Sequence, residues 1–476
     1  MQRLPGIDAG YLYMETPTVH MHTLKVALLD PSTVPGGYSF ERFKGELVKR
    51  LHLLPPFRRR IVDIPFGLHH PMWIEDPDFD IDRHVHQGQV AAPGGRREMD
   101  DAIGAIAGRQ LDRTRPLWEM HVLEGLADGS IAFVTKIHHT AADGVAAAAM
   151  LANVMSVSPD EGDPPTPVAS ERWQPEPVPS TWRLVADAIT AWLKGLLRLP
   201  GLLSRTIGKT RTVARHRRGS DVSPPRPIMD VPRASFNTAL TPNRIFATTS
   251  LPLDDFKRVK EAFGVTLNDV VLAVVSGSLR RYLEEHGEPM DRPLVAGIPV
   301  STDRPEDAPR LSGNKVSNMF TSLRHDIDDP IERLHAISEV TKSAKVVQNL
   351  LGAEMMEDWV EYTPPKPFAF FLRQYSRFRV ADHHRPAMNL VVSNVPGPRT
   401  PFFVAGARLL AIYSVGPILE GIGLNVTVWS YLDRMNFAAI ACPETMPGLH
   451  SVTDGLTAAL QDLVRLADPA EVPVPQ

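Results

Sequence analysis

SIAFVTKIHHTAADG, residues 130–144, joins a strand to a helix through two adjacent histidines. Residues 130–138 alternate enough to predict a β-strand, with one face carrying Ile131, Phe133 and Thr135 and the other Ala132, Val134 and Lys136. Residues 145–155 are apolar and alanine-rich, which predicts a helix. Because neighbouring side chains on a strand point to opposite faces, only one of the two histidines can face a given cleft.

The polar residues of this turn are of types that support proton transfer. An imidazole held at the end of a strand is a good general base near neutral pH. Asp143 is placed to cap the following helix or to fix the turn through a buried ion pair. Gly144 allows close approach of another segment or a ligand. We therefore predict that one of His138 and His139 performs chemistry.

The chain has 476 residues, of which 43% are hydrophobic, so it is long enough for two domains. Proline is abundant, with 44 residues, and clusters around residues 159–179 and 223–232. These clusters predict an N-terminal lobe at 1–157, a Pro-rich linker at 158–233 and a C-terminal lobe at 234–476. The predicted fold class is α/β (α+β), with two lobes joined by a long crossover.

Composition excludes several classes of protein. The formal net charge is −4, which gives no reason to expect nucleic-acid binding, and the one cysteine rules out an internal disulfide framework. His84 and His86 share a face of a predicted strand, but no acidic or cysteine ligands support them, so no metal site is predicted. The sequence carries no secretory signal and no long apolar span, which predicts a cytosolic protein unless it lies on a membrane surface.

The linker contains a segment of different character, residues 181–220. Nine basic residues stand there against one acid, a net charge of +8, so the rest of the chain carries −12. Helical spacing places Trp182, Ile189, Trp192 and neighbouring leucines on one face. This pattern predicts a helix that lies in a membrane interface and binds anionic lipid, or a linker helix packed against the lobes.

Other catalytic schemes are not supported. The sequence contains no Gly-x-Ser-x-Gly elbow, no phosphate loop and no dinucleotide fingerprint. Cys442 follows an apolar strand and is expected to be a buried small residue. What remains is a histidine that deprotonates a substrate hydroxyl directly, without a covalent enzyme intermediate.

Several separated motifs occur in an order that resembles a known family. His138 to Gly144 matches the His-His-x-x-x-Asp-Gly signature of the CoA-dependent acyltransferase superfamily. The flanking motifs are Pro116-Leu117-Trp118, Asn268-Asp269, Asn394-Val395-Pro396-Gly397-Pro398, the region 8–15 and the stretch 73–80. Together they resemble the bacterial bifunctional wax ester synthase/diacylglycerol acyltransferase family, and the resemblance covers nearly the whole chain.

The resemblance implies two chloramphenicol-acetyltransferase-like lobes with a substrate tunnel between them. It implies transfer of a fatty acyl group from acyl-CoA, a co-substrate, to diacylglycerol, with no other cofactor. The alternatives are a wax ester synthase, which uses a long-chain alcohol, and a non-catalytic relative that binds acyl chains or a carrier protein. The motif match makes His139 the general base, His138 a supporting residue and Asp143 a structural residue that holds the turn.

The remaining motif residues are predicted near substrate. They are Pro116, Leu117, Trp118, Gly144, Asn268, Asp269 and Asn394. Core packing is the alternative for Pro116 to Trp118, and residues 394–398 are expected to form a rigid turn at the lobe interface. The oxyanion donor stays open between Asn268, Asn314 and Ser317, because Asn268 can equally serve as part of a helix cap.

One departure from the family pattern concerns the partner of Asp143. Family members often carry an arginine two positions after the strand that here ends at Ser301. This chain has Asp303 there and Arg304 one position later. We therefore expect that Arg304 has shifted to pair with Asp143, or that another arginine does.

The expected partners are acyl-CoA and diacylglycerol or a long-chain alcohol. Residues 181–220 are expected to contact a membrane surface or lipid droplet, and nucleic acid is not an expected partner. The resulting localisation is cytoplasmic, peripherally associated with the inner leaflet or with lipid droplets.

Overall fold

Two large β-sheets, each covered by helices, form the two lobes of the protein in the computed structural model, which describes residues 2–160, 176–220, 222–303, 310–352 and 354–467. The strands are β1 (Gln2–Arg3), β2 (His22–Asp30), β3 (Arg59–Val62), β4 (Met72–Glu75), β5 (Val85–Gln89), β6 (Trp118–Glu124), β7 (Ile131–His138), β8 (Met155–Ser156), β9 (Ile245–Pro252), β10 (Val295–Ser301), β11 (Val316–Ser322), β12 (Leu390–Val395), β13 (Phe403–Val404), β14 (Ala407–Val415), β15 (Leu424–Tyr431) and β16 (Arg434–Ala441). The helices are α1 (Gly6–Met14), α2 (Phe40–Arg50), α3 (Arg96–Ala107), α4 (Gly144–Val154), α5 (Thr181–Arg218), α6 (Leu253–Phe263), α7 (Leu267–Glu285), α8 (Pro330–Leu351), α9 (Glu354–Val360), α10 (Pro365–Arg377) and α11 (Leu449–Ala467).

The first lobe is built on a seven-stranded sheet in the order β5-β6-β7-β2-β14-β13-β8. The predicted strand before the two histidines is β7, which lies between β6 and β2, and every one of its residues is buried. Apolar side chains of α3 cover one face of this sheet, and those of α2 and α4 cover the other. Strand β7 is therefore held on both edges and both faces, which fixes the position of the histidines at its end.

The second lobe is built on a six-stranded sheet in the order β11-β10-β12-β15-β16-β9. Its largest apolar cluster brings together this sheet and helices α6, α7, α8 and α11. Helix α7 is almost wholly buried because sheet residues pack on one side of it and α8 and α11 on the other. A small three-stranded sheet, β1-β4-β3, packs beside α1.

The predicted division at residue 234 is wrong for one segment. Strands β13 and β14 come from the C-terminal part of the chain, yet they complete the sheet of the first lobe. Strand β14 pairs antiparallel with β2 from Arg408 opposite Asp30 to Val415 opposite Leu24. The apolar pattern of residues 409–415 predicts a strand, but it carries no information about which of two sheets the strand joins.

Helix α5 is the predicted amphipathic segment, and it carries two apolar stripes. One stripe faces the protein and buries Leu184, Ala188 and Leu202. On the other side, the side chains of Trp182 and Leu197 are 83% and 84% exposed. The other large exposed apolar side chains of α5 are Ile189, Trp192, Leu193, Leu196, Leu203 and Ile207. The helix therefore packs on the lobes and still presents an apolar face to solvent.

No single helix within the described ranges is long and apolar enough to cross a membrane. Helices α6 and α7 reach that length and hydropathy only as a pair bent by 105°.

Candidate active site

The two histidines point to different surroundings, as the strand alternation predicts. The His138 amide donates to the carbonyl of Leu117 at 3.0 Å, and the His139 amide donates to that of Met21 at 2.8 Å. The side chain of His138 is fully buried, whereas that of His139 is only largely buried. The backbone thus fixes both residues where β7 ends, and His139 is the one that a ligand can reach.

The ring of His139 stacks on Tyr11 of α1, with ring centroids 4.2 Å apart and planes inclined by 25°. Its Nδ1 atom is buried and has no hydrogen-bond partner among the described residues, while its carbonyl oxygen accepts a hydrogen bond from Asn314 Nδ2 at 2.8 Å. Burial lowers the pKa of His139, and Asp143, its own carbonyl and Asn314 only partly oppose that effect. The imidazole is therefore neutral at neutral pH and able to accept a proton.

His138 supports the turn and is closed off from solvent. Its Nδ1 accepts a hydrogen bond from the Thr140 amide at 3.1 Å, so its proton is on Nε2, which lies 3.8 Å from Glu15 Oε2. Burial and the nearby charge of Arg113 hold the pKa of His138 far below its ordinary value. The His138 ring therefore stays neutral, and its contact with the Thr140 amide stabilises the turn inside the lobe.

Asp143 holds the turn from both sides. Its Oδ1 accepts a hydrogen bond from the Ala146 amide at 2.9 Å, which caps α4 as predicted. Its Oδ2 accepts from the Lys315 amide at 2.9 Å and from the Arg310 guanidinium. Both carboxylate oxygens are therefore occupied by contacts that hold the turn.

The partner of Asp143 is Arg310, so the second of the two expected alternatives holds. Arg310 also donates from Nε to Asp303 Oδ1 at 2.9 Å, and it is therefore fixed between two carboxylates. The acid at position 303, which departs from the family pattern, orients this arginine. Arg304, the other expected partner, lies outside the described residues.

A segment of the second lobe, residues 310–315, lies directly on the motif turn. The Gly313 amide donates to the carbonyl of Ala141 at 2.8 Å, and the Asp143 amide donates back to Gly313 at 3.3 Å. Gly313 has a φ of +78°, and a Cβ atom there would lie 3.2 Å from Asp8 Oδ2. Glycine is therefore required where the two lobes meet at the motif.

Asp8 of α1 accepts hydrogen bonds from both sides of this contact, the segment 310–315 and the motif turn. Its Oδ1 accepts hydrogen bonds from the Asn314 amide at 2.9 Å and from Asn314 Nδ2 at 2.7 Å, and its carbonyl accepts from Thr140 Oγ1 at 2.6 Å. Burial raises the pKa of Asp8 to about 7, and the bonds from Asn314 only partly offset this. Residue-by-residue reasoning missed Asp8, Tyr11 and Arg310, although the resemblance of residues 8–15 pointed to the first two.

A cavity opens between the lobes beside the motif turn. It is lined by Gln2, Pro5, Asp8, Pro56, Arg59, Trp73, Ala141, Arg310, Ser312, Gly313, Asn314 and Lys315. It adjoins Ala141 of the motif, and its lining comes from both lobes. The predicted tunnel through the protein stays a prediction, but the motif does lie at a cavity shared by the lobes.

Pro116, Leu117 and Trp118 are buried in the first lobe, and Trp118 also lines a cavity. The Leu117 carbonyl anchors the His138 amide, and the Trp118 indole donates to the carbonyl of Phe57 at 2.7 Å. Trp118 also lines an apolar cavity with Lys25, Phe57 and side chains of α2 and α4. Packing of Leu117 and Trp118 is therefore observed, while shaping of a substrate channel by this segment stays a prediction.

Asn268 and Asp269 lie in the first turn of α7, in the second lobe. Asp269 Oδ2 accepts from the amide and hydroxyl of Thr266 at 2.9 and 2.7 Å and from Ser338 Oγ at 3.1 Å. This is a capping box that also joins α7 to α8. In the described parts of the chain, neither residue has a hydrogen bond or ion pair with the motif, and their proximity to substrate stays a prediction.

Asn394 lies near the end of β12, opposite Val428 of β15. The turn that follows it packs tightly, since the Gly397 amide donates to Ser430 Oγ at 2.9 Å and a Cβ atom at Gly397 would lie 1.9 Å from the carbonyl oxygen of Ser430. Val395 and Trp429 belong to the apolar cluster of the first lobe. The turn therefore stands at the lobe interface, as expected, and a direct contact of Asn394 with substrate stays a prediction.

Comparisons with known proteins agree with this architecture. The family model described as the wax ester synthase/diacylglycerol acyltransferase catalytic domain matches residues 4–271, and that of the WS/DGAT C-terminal domain matches residues 312–464. A Mycobacterium tuberculosis (strain H37Rv) protein, named as a candidate diacylglycerol O-acyltransferase, is 41% identical over 98% of this chain and 97% of its own length. Another candidate of that name from the same strain is 38% identical over 98% of both chains.

Solved structures give the same result. The wax ester synthase/diacylglycerol acyltransferase from Marinobacter aquaeolei VT8 superposes with a TM-score of 0.66 at 28% identity, covering 98% of this chain and 99% of that one. The first condensation domain of the calcium-dependent antibiotic synthetase superposes with a TM-score of 0.57 at 14% identity, covering 99% and 97%, which shows the shared two-lobe fold alone. The chain belongs to the wax ester synthase/diacylglycerol acyltransferase family and is an acyl-CoA-dependent acyltransferase.

Proposed function

We propose that this protein transfers a long-chain fatty acyl group from acyl-CoA to diacylglycerol, forming triacylglycerol, with His139 as the general base. The observation that carries the proposal is a neutral, reachable imidazole on a turn that both lobes hold in place. The names of the M. tuberculosis relatives favour diacylglycerol as the acceptor. A long-chain alcohol, which would make the protein a wax ester synthase, requires the same machinery.

The reaction follows from the position of the His139 ring. Because Nδ1 is buried, Nε2 is the nitrogen left to meet a substrate hydroxyl. The hydroxyl proton passes to Nε2 while the hydroxyl oxygen attacks the thioester carbonyl. The C–S bond then breaks, the imidazolium returns the proton to the CoA sulfur, and the ester leaves with the enzyme in its starting state.

The oxyanion that forms on the carbonyl needs hydrogen-bond donors. Asn314 is a poor choice, since its Nδ2 already faces two acceptors, Asp8 Oδ1 and the carbonyl of His139. The hydroxyl of Ser317 accepts from Gln348 Nε2 at 2.7 Å and keeps its own proton to donate. Asn268 remains the other candidate donor.

We further propose that the enzyme works at a lipid surface, peripherally associated with the inner leaflet of the cytoplasmic membrane or with lipid droplets. The exposed stripe of α5, with Trp182 and Trp192, supports this, because packing against the lobes already uses a different stripe. The basic residues of the same helix complement anionic headgroups. A linker helix that only packs against the lobes would not need the exposed stripe.

The test measures acyl transfer from labelled palmitoyl-CoA to dioleoylglycerol or hexadecanol. The His139→Ala variant is expected to lose at least about 100-fold in activity, whereas His383→Ala, at an exposed histidine away from the site, should retain it. Equal activity of His139→Ala and the unaltered protein would overturn the general-base assignment. Lack of transfer to either acceptor by the unaltered protein would overturn the assignment of diacylglycerol and of a long-chain alcohol as acceptors.

A further inference from the structure

Helix α10 packs on the protein through one side only. None of its residues is fully buried, and its inward side chains, Phe368 and Ala369, rest on the apolar cluster of α1 that contains Leu12 and Leu117. Thr18 of the segment after α1 is bonded to Ser376 Oγ at 2.6 Å. The helix is therefore a firmly attached outer layer over α1.

The outward side of α10 is aromatic and basic. Phe370, Phe371 and Phe378 are 64%, 60% and 65% exposed. Lys366, Arg373 and Arg377 are exposed beside them, and no acidic residue lies between Pro365 and Arg379. Three phenylalanines that leave most of their surface in water add little to the apolar core, and a cluster of this kind marks a surface that contacts something else.

Phe66 extends this surface toward α5. Its side chain is 75% exposed, and its φ of +60° is unfavourable for an aromatic residue, so the surrounding structure must hold it outward. A Cβ atom at Gly67 would lie 2.6 Å from Lys366 Cγ, which places this turn against α10. Ile64, just before the turn, packs with Leu184 of α5.

Phe66, Phe370, Phe371 and Phe378 together form an exposed aromatic face.

The aromatic face lies close to the reaction centre. Helix α10 covers α1, which carries the Tyr11 ring stacked on His139. The charge of Arg373 also acts on Glu15, whose Oε2 lies 3.8 Å from His138 Nε2. The aromatic face therefore lies on the outer side of the two helices, α10 and α1, that cover His139.

We infer that the aromatic face is the port through which the acceptor lipid leaves an anionic lipid surface for His139, while α5 anchors the protein to that surface. This inference rests on the proposed function. Positive charge beside exposed aromatic rings matches anionic headgroups above an apolar interior. A second copy of the chain is a poorer occupant, because a symmetric contact would place the cations of α10 against one another.

The test compares acceptors that differ only in how they are presented. The double variant Phe370→Ser/Phe371→Ser is assayed with dioleoylglycerol in vesicles of phosphatidylcholine and phosphatidylglycerol, and with dihexanoylglycerol dissolved in water. Activity toward the vesicle substrate should fall by about tenfold or more, with activity toward the dissolved substrate unchanged. Leu466→Ser, at an exposed apolar residue of α11, is the matched control and should leave both activities unchanged.

Three results would overturn the proposal that the aromatic face is the entry port. Two are an unchanged rate of the double variant with vesicles and an equal loss of activity with both acceptors. The third is a lower oligomeric state of the double variant in gel filtration, which would show that the aromatic face binds a second copy of the chain. Failure of the proposed function gives a different result, namely no transfer to either acceptor by the unaltered protein. In that case sedimentation of the double variant with the same vesicles still tests the surface, and unchanged sedimentation would overturn it.

Discussion

Arg310 of the second lobe forms an ion pair with Asp143 of the motif turn, 167 residues away in the chain. Both side chains are largely shielded from solvent, with exposed fractions of 16% and 6%. The pair therefore joins the lobes at the reaction centre. It also explains why a carboxylate in this turn is structural, because its oxygens are already engaged.

Breaking this pair should destabilise the protein and impair catalysis together. Arg310→Gln leaves Asp143 buried without its counter-charge, which is expected to lower the free energy of unfolding by about 3 kcal/mol. Urea unfolding measures that loss, and acyl transfer measured on the folded fraction should fall as the turn loosens. Arg304→Gln serves as the parallel variant and should behave like the unaltered protein. If Arg304→Gln had a larger effect than Arg310→Gln, Arg310 would not be the partner of Asp143.

Asp8 should make stability depend on pH in a definite direction. Its pKa is raised from 3.8 to about 7 in the folded protein, so the folded state holds a proton that the unfolded state releases between those values. Stability therefore falls as pH rises from about 4 to about 7, by up to about 4 kcal/mol, and changes no further above that. Asp8→Asn retains an acceptor for Asn314 and removes the charge.

The measurement is thermal unfolding of both proteins at several pH values. The melting temperature of Asp8→Asn relative to that of the unaltered protein should rise between about pH 4 and pH 7 and then level off. Parallel curves for the two proteins across this range would contradict a raised pKa of Asp8.

The positive charge of Lys25, inside the first lobe, should lower the pKa of His139. It is buried on β2, donates to Ser414 Oγ at 2.5 Å and lies 5.3 Å from the centre of the Trp429 ring. Burial lowers its own pKa to about 8, and its charge lowers the pKa of His139. Lys25→Met, a replacement of similar length, should therefore shift the acidic limb of the profile of kcat/KM against pH to higher pH.

For the unaltered enzyme, kcat/KM should not change with pH above the ordinary pKa range of imidazole, because His139 is already neutral there. Ser414→Ala keeps the lysine charge and controls for the lost hydrogen bond. An identical acidic limb in Lys25→Met and the unaltered enzyme would argue against electrostatic tuning.

The two stripes of α5 should have separable effects. Trp182→Ser/Trp192→Ser alters only exposed side chains, so sedimentation with phosphatidylglycerol vesicles should fall by about tenfold with an unchanged melting temperature. Leu184→Ala alters the inward stripe and should lower the free energy of unfolding by about 2 kcal/mol while vesicle binding persists. Vesicle binding that survives the double tryptophan variant would count against α5 as the anchor.

The local architecture of the site was predictable from the sequence. Alternation along residues 131–138 separates His138 from His139, and Asp143 caps α4 as its position before an apolar helix indicates. These features depend on residues a few positions apart, where backbone periodicity alone sets the geometry. The amphipathic character of α5 was readable for the same reason.

Strand β2 was not recognised, although it lies at the centre of the first sheet beside β7. Residues 22–30 do not alternate between apolar and polar side chains. Lys25, a residue type that normally indicates an exposed position, is buried in this strand. Asp269 was placed near substrate by the family motif, whereas its contacts are those of a helix cap. A motif residue that also satisfies a local structural rule cannot be assigned to one role by sequence alone.

The sequence by itself determined the strand, turn and helix that carry His139, since each is set by short-range periodicity and capping. Only the tertiary structure decided that Arg310 faces Asp143, that Asn314, which is bonded to Asp8, donates to the carbonyl of His139, and that β14 joins the first lobe. Those contacts join residues more than a hundred positions apart. Their partners are chosen by how the two apolar cores pack, and no local pattern in the chain records that choice.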